Sequence, residues 1–290
     1  MHTRSLAATY PYQRAFALSL HRAGETLGDI VSPIIIGGFI GGLILIRFLW
    51  GGIGWQYLSL LLAIPAVIGA ILIYAYSGTR ITHKELSGPQ EYIHSIKSLL
   101  NNKSFMGTLV TNGIQSSIFN TLTICMVIYM KKDLRFSDFT LGYHLQLMTI
   151  ASMVGSPLIG KTTDLVGRRP IIFVSILSYG LLIFCLTFSG TGTLSTLLLP
   201  FLGIFMLFIN PLLLATAIDC SRKGIEGAGV TIMFSTGTLF GGISPIIAGV
   251  LRKNHGMDGV FYSYGVLALI IALFTLFIPM NRPHNSSSNS

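Results

Sequence analysis

Charge is what this sequence has least of. Only 10% of its 290 residues are Asp, Glu, Lys or Arg, against 51% hydrophobic, where a soluble domain averages about 25% charged. So little charge cannot cover a water-soluble surface, and the chain reads as a membrane protein. Cysteine is nearly absent: Cys125, Cys185 and Cys220 follow no CxxC or Cys/His spacing, which excludes a disulfide framework or zinc site and leaves free thiols. Acids are half as numerous as bases, for a net charge of +9. The bases are scattered in short segments between apolar runs, a pattern that sets membrane topology and not one that grips nucleic acid. Enzyme signatures are missing as well. There is no GxxxxGK[ST] phosphate loop, no HExxH and no GxSxG, and no nucleophile stands at a recognisable spacing from a base. Neither a cofactor nor a metal is expected. The opening MHTRSLAATYPYQR lacks the apolar stretch and cleavage site of a signal peptide, so insertion is expected to be led by the first span.

Apolar runs are abundant. Eight are long enough to cross about 30 Å of hydrocarbon, near 16–46, 55–76, 105–130, 139–160, 170–189, 193–217, 226–251 and 259–280. The expected fold is therefore all-α, a polytopic bundle of about eight transmembrane helices. Breakers separate the runs: Gly51-Gly52, Lys131-Lys132-Asp133, Gly167 to Pro170, Gly190 to Gly192 and Gly256 to Gly259. The domain reading is a two-span segment over 1–76, a cytoplasmic linker over 77–104, a six-helix unit over 105–280 and a low-complexity, disordered tail over 281–290. Within the linker, Tyr92, Ile93, Ile96, Leu99 and Leu100 recur at roughly helical intervals beside Lys97 and Lys103. That pattern suits a helix on the inner membrane surface or a plain solvated connection.

Counting Lys and Arg on alternate sides assigns thirteen of the 19 to one side and six, Arg47, Lys131, Lys132, Arg135, Arg252 and Lys253, to the other. The richer side is expected to be cytoplasmic, with both termini there, in the cell membrane. Trp50 and Trp55 flank the first outer turn, where an indole keeps its ring at the headgroups.

Two stretches repeat. AGETLGDIVSPIIIGG (23–38) and TGTLFGGISPIIAG (236–249) share a glycine pair four apart, then Ser-Pro-Ile-Ile, then glycine. Gly24, Gly28 and Pro33 thus answer to Gly237, Gly241 and Pro245. Small residues four apart let helix backbones approach closely, and a mid-helix proline bends the rod. Repeated halves of this kind are common in transporters.

The most specific signal is GSPLIGKTTDLVGRRPIIF (155–173), between the fourth and fifth runs. It resembles the Gly-x-x-x-Asp-x-x-Gly-Arg-Arg/Lys loop of the major facilitator superfamily, matched by Gly160, Asp164, Gly167, Arg168 and Arg169. Leu165 stands where that family usually has Arg. YPYQRAFALSLHRAGETLGDIVSP is similar to the family's loop and fifth helix, GWQY (54–57) to the entry of the sixth, and Asp219 to Glu226 to the loop before the eleventh. The resemblance implies helices five to twelve of a twelve-helix transporter, with the first four missing. The chain would then be a truncated transporter, a late-start gene model or one piece of a split gene. It also implies secondary active transport of a small solute by alternating access, antiport or symport, driven by protons or another ion. The partners it implies are the lipid bilayer, a small-molecule substrate, protons and a chain supplying the missing helices. The alternative is a transport-incompetent fragment.

Candidate pathway residues are the rare polar groups of the spans. In the third run Asn112, Gln115, Ser116, Asn120 and Thr123 form a stripe that either lines a pathway or hydrogen-bonds neighbouring helices, with Gln115 and Asn120 nearest its middle. His144 shares a face with Met148 and Ser152 and suits a proton shuttle or an ordinary hydrogen-bonded role. Asn210-Pro211 breaks the sixth run, bending it or freeing a carbonyl. Arg22, Glu25 and Asp29 share one helical face at the edge of the first run, and Glu25 and Asp29 repel when both are ionised. They either couple transport to protons or face cytoplasmic water.

Overall fold

A computed structural model describes residues 63–64, 67–72, 75, 89–188, 193–221 and 225–279. The chain divides into two compact units, Leu27–Glu85 and the remainder. In the first, the described residues are short helical pieces; the account below concerns the second. Among the described residues there is no strand, and the fold is all-α. Six helices follow in order: α1 (Pro89–Leu100), α2 (Lys103–Ile128), α3 (Asp138–Val166), α4 (Arg168–Thr187), α5 (Thr193–Cys220) and α6 (Glu226–Thr275). Of these, Lys103–Asp133, Arg168–Thr187, Thr196–Cys220 and Glu226–Thr275 are long and apolar enough to cross a membrane. Inside α6, Gly256 leaves helical geometry at φ 72 and ψ −168. That break yields two rods, each long enough at about 1.5 Å per residue to span the hydrocarbon. With α3, the six runs expected between 105 and 280 are all helical.

Local chemistry fixes the ends. Asn102 caps α2, its side-chain oxygen accepting from the Ser104 N–H at 2.9 Å, and Ser137 caps α3 by accepting from the Thr140 N–H at 3.2 Å. Past Ile128 the chain loosens into a π turn over Tyr129–Asp133, and Arg135 takes φ 53 before α3 starts. Between α3 and α4 there is no loop at all. Gly167, at φ 107, is both the C-cap of one helix and the N-cap of the other, a backbone angle that glycine alone adopts freely.

Helix α3 shows which solvent the bundle is built for. His144, Ser152, Ser156 and Thr163 lie on its buried side, while Ile150, Val154, Leu158 and Leu165 are exposed. A helix in water does the reverse. The outward apolar stripe continues on other helices, with Leu239 and Ile246 of α6 among the most exposed side chains, and lipid is what suits such a wall. The interior is dense and mostly apolar, built from Ile118 and Leu122 of α2, Ile176 and Tyr179 of α4, Leu202 and Phe208 of α5, and Phe261 of α6. Close approaches rely on glycine: a Cβ at Gly203 would strike the Met148 backbone carbonyl across the α3–α5 contact.

Two glycines should therefore respond differently. Gly256→Ala forces a side chain into a region that costs about 1–3 kcal/mol, even though the space around it is open, and should lower the thermal midpoint in detergent. Gly242→Ala, helical and equally open, should leave the midpoint unchanged or raise it slightly.

Candidate functional site

Three constellations contain the residues singled out from the sequence. The first is the seam between α2 and the first rod of α6. Asn112 donates through Nδ2 to the Met233 carbonyl at 2.7 Å. One turn on, the Ser117 hydroxyl reaches the Phe240 carbonyl at 3.2 Å. Ser244 donates to the Ser117 carbonyl at 2.8 Å, so the Thr121 hydroxyl, 2.8 Å away, donates to Ser244. The Tyr264 hydroxyl, from the second rod, closes on the Ser244 carbonyl at 2.9 Å. The repeat glycines fit into this seam. A Cβ at Gly237 would meet Ser116 Oγ at 2.8 Å and Asn112 Nδ2 at 3.2 Å, and one at Gly241 would strike the Asn120 amide. Asn120 itself donates to the Ser116 carbonyl of its own helix at 2.9 Å. Pro245 lies half-buried beside Ser244, where its missing N–H frees the carbonyl four residues back.

The second constellation centres on Gln115, which is fully buried. Its Oε1 accepts from the Tyr179 hydroxyl of α4, and its Nε2 faces the Met206 carbonyl of α5 at 3.5 Å. One amide thus ties three helices. His144 does something similar for two helices: Nδ1 bonds the Thr140 carbonyl at 2.7 Å and Nε2 meets Thr196 Oγ1 of α5 at 2.9 Å. Because the carbonyl only accepts, Nδ1 carries a proton in this contact. Phe136 and Tyr143 flank the imidazole, with ring centroids at 5.0 and 5.5 Å.

The third is the hinge. Gly160 and Gly167 are buried, Asp164 is half-buried on the last turn of α3, and Arg169 is exposed. Arg168 is only 5% exposed, and its Nη2 lies 2.6 Å from Asp219 Oδ2 at the end of α5. Both charges stand at helix ends whose dipoles oppose them: a cation at the N-terminus of α4 and an anion at the C-terminus of α5. Each is made tolerable by the other. Leu165, in the position of the family's usual Arg, is 79% exposed and takes no part.

A sequence model of the Major Facilitator Superfamily matches residues 116–290. The chain belongs to that superfamily. It is 25% identical over 182 residues to Multidrug resistance protein 1 of Bacillus subtilis, covering 61% of this chain and 46% of that protein. A Haemophilus influenzae protein provisionally named for metabolite transport is 22% identical over 256 residues, 83% of this chain and 62% of its own. An uncharacterized MFS-type transporter of Methanocaldococcus jannaschii is 26% identical over 150 residues, 52% and 39% respectively. The chain spans about half the length of the curated relatives it matches. Two of these relatives are named for transport and the other for drug resistance, and the chain is a multi-pass membrane protein.

Arg22, Glu25, Asp29, Gly24, Gly28 and Pro33 lie outside the described residues. Three partners were missed in the sequence: Asp219, Tyr179 and Thr196. Asp219 had a signal, being a lone acid ending an apolar run on the same membrane side as Arg168. Tyr179 and Thr196 had none, because nothing in their own segments distinguishes them.

The Gln115–Tyr179 pair has a measurable consequence. Tyr179→Phe leaves a buried amide oxygen without its donor, at a cost of about 1–3 kcal/mol, and should lower the thermal midpoint. Adding Gln115→Leu removes the orphan, so the double variant should recover part of the loss.

Proposed function

We propose that this chain contributes to a secondary active transporter that moves a small solute by alternating access, in the cell membrane with both termini in the cytoplasm. The observation that carries the reading is the buried Arg168–Asp219 ion pair at the superfamily's signature hinge. A charge pair held at opposed helix ends is stable in one arrangement of the helices and poorly placed in any other. It favours the state in which α4 and α5 meet, and motion between the states must break it. Supporting this is the family itself, and relatives named for drug resistance and metabolite transport. Either an apolar drug or a polar metabolite is therefore a substrate to test. A proton or ion gradient is the drive proposed, with Glu25 and Asp29 as the groups that hold the coupling proton; Gln115, Asn120 and His144 are carried with them as pathway residues.

In proteoliposomes, Arg168→Gln and Asp219→Asn should each slow gradient-driven uptake about tenfold or more, while the charge exchange Arg168→Asp with Asp219→Arg restores part of it. Equal loss in all three, with unchanged thermal midpoints, would show that the pair is not a gate. Glu25→Gln with Asp29→Asn should abolish dependence on the pH gradient but leave downhill exchange.

A second reading is favoured by the fraction of each relative that is covered: a separate chain supplies further helices, and this one alone is inert. Uptake that appears only on co-expression with a four-helix membrane segment would select it.

A further inference from the structure

Helix α1 stands where a soluble linker would have no reason to be apolar on its outer side. It ends at Leu100, and α2 enters the membrane at Lys103. The turn between them is closed, with the Asn101 N–H donating to the Lys97 carbonyl at 3.1 Å and the Asn102 N–H to the Leu99 carbonyl at 3.0 Å. So α1 is held at the mouth of a helix long and apolar enough to cross a membrane. One side is already packed: Leu99 is 3% exposed, and with the Phe105 ring it lies 3.6 Å from where a Cβ on Gly229 would stand. The other side is bare. Ile93 is 63% and Leu100 39% exposed, and Lys97, between them and on the same face, is exposed too, as is Lys103 at the bend. The first turns of α2 likewise expose Met106 and Val110, which carries the apolar surface on into the lipid-facing wall.

We propose that this face of α1 is a binding surface for anionic phospholipid. Ile93 and Leu100 sink among the upper acyl carbons. Lys97 and Lys103 extend along them to the headgroup phosphates, as lysine does when its stem is apolar and its tip is charged. A solvated linker would leave Ile93 in water. Bilayer lipid supplies both an apolar layer and negative charge at the depth where α1 is fixed.

The test uses the full chain with Cys125, Cys185 and Cys220 replaced by alanine and a bimane label at Ile93→Cys, reconstituted in phosphatidylcholine vesicles with or without phosphatidylglycerol. Lipids brominated on the acyl chain should quench the label at least about twofold more than aqueous iodide does, and phosphatidylglycerol should increase that quenching. Lys97→Gln with Lys103→Gln should remove the increase, whereas Lys97→Arg, which keeps the charge, should retain it. Quenching by iodide and not by brominated lipid would overturn the insertion. An increase that is absent in the parent, or that survives the double variant, would overturn the recognition of anionic headgroups. The readout does not depend on transport, so it stands or fails separately from the function proposed above.

Discussion

Lipid tails are as apolar as leucine, so burying leucine between two helices in a bilayer gains little, and polar contacts and close packing have to hold the bundle. The seam between α2 and α6 is the answer this chain gives. Asn112, Ser117, Thr121 and Ser244 bond across it, and Gly237 and Gly241 bring the backbones near enough for those short side chains to reach. Neither half suffices alone. Without the glycines, the amide of Asn112 could not reach a main-chain carbonyl on the neighbouring helix; without the polar groups, the close approach would rest on dispersion only. The same logic explains why buried hydroxyls so often return to a carbonyl of their own helix, as Thr108, Thr111 and Thr163 do. In hydrocarbon an unmet hydroxyl costs more than the slight helix distortion.

Ionic contacts follow a different rule. The pair Arg168–Asp219 sits at the end of the bundle, within reach of headgroups and water on the Asp219 side, whose side chain is 25% exposed. Asp133–Arg252 sits at the other end, longer at 3.8 Å and more open. The short pair is thus on the face that carries the hinge, and the loose one is on the face where α2 ends in a π turn. An exposed pair at such a distance is worth little, whereas a shielded one resists separation. Of these two pairs, Arg168–Asp219 is consequently the better shielded and the harder to separate.

Much of the architecture was legible because span length, breaker residues and the hinge signature are local. Gly256 ends a helix wherever the bundle places it, and Gly160-x-x-x-Asp164-x-x-Gly167-Arg168-Arg169 forms a tight turn on its own terms. The Asn112 to Thr123 stripe was visible too, but its two readings could not be separated in one dimension. Which carbonyl an amide meets depends on how neighbouring helices are rotated and slid. Gln115 shows this best: its partners come from α4 and α5, 64 and 91 residues away, and no feature near Tyr179 or Met206 announces them. The described geometry gives Asn112 and Gln115 helix-bridging bonds.

Gly167 finally explains why the ion pair belongs to the hinge and not merely near it. With a single residue, Gly167, between α3 and α4, the angle between these helices is set by the torsions of one glycine. Arg168 is the next residue, so turning that glycine swings the guanidinium directly, with no slack loop to absorb the motion. Asp219, on the far end of α5, is fixed independently: α5 is pinned to α3 at Thr196 by His144 and where Gly203 meets Met148. A rotation of α4 against the α3–α5 pair would therefore pull Arg168 away from Asp219. That direct coupling of hinge torsion to ion pair is what suits the pair to act as a gate in the proposed cycle.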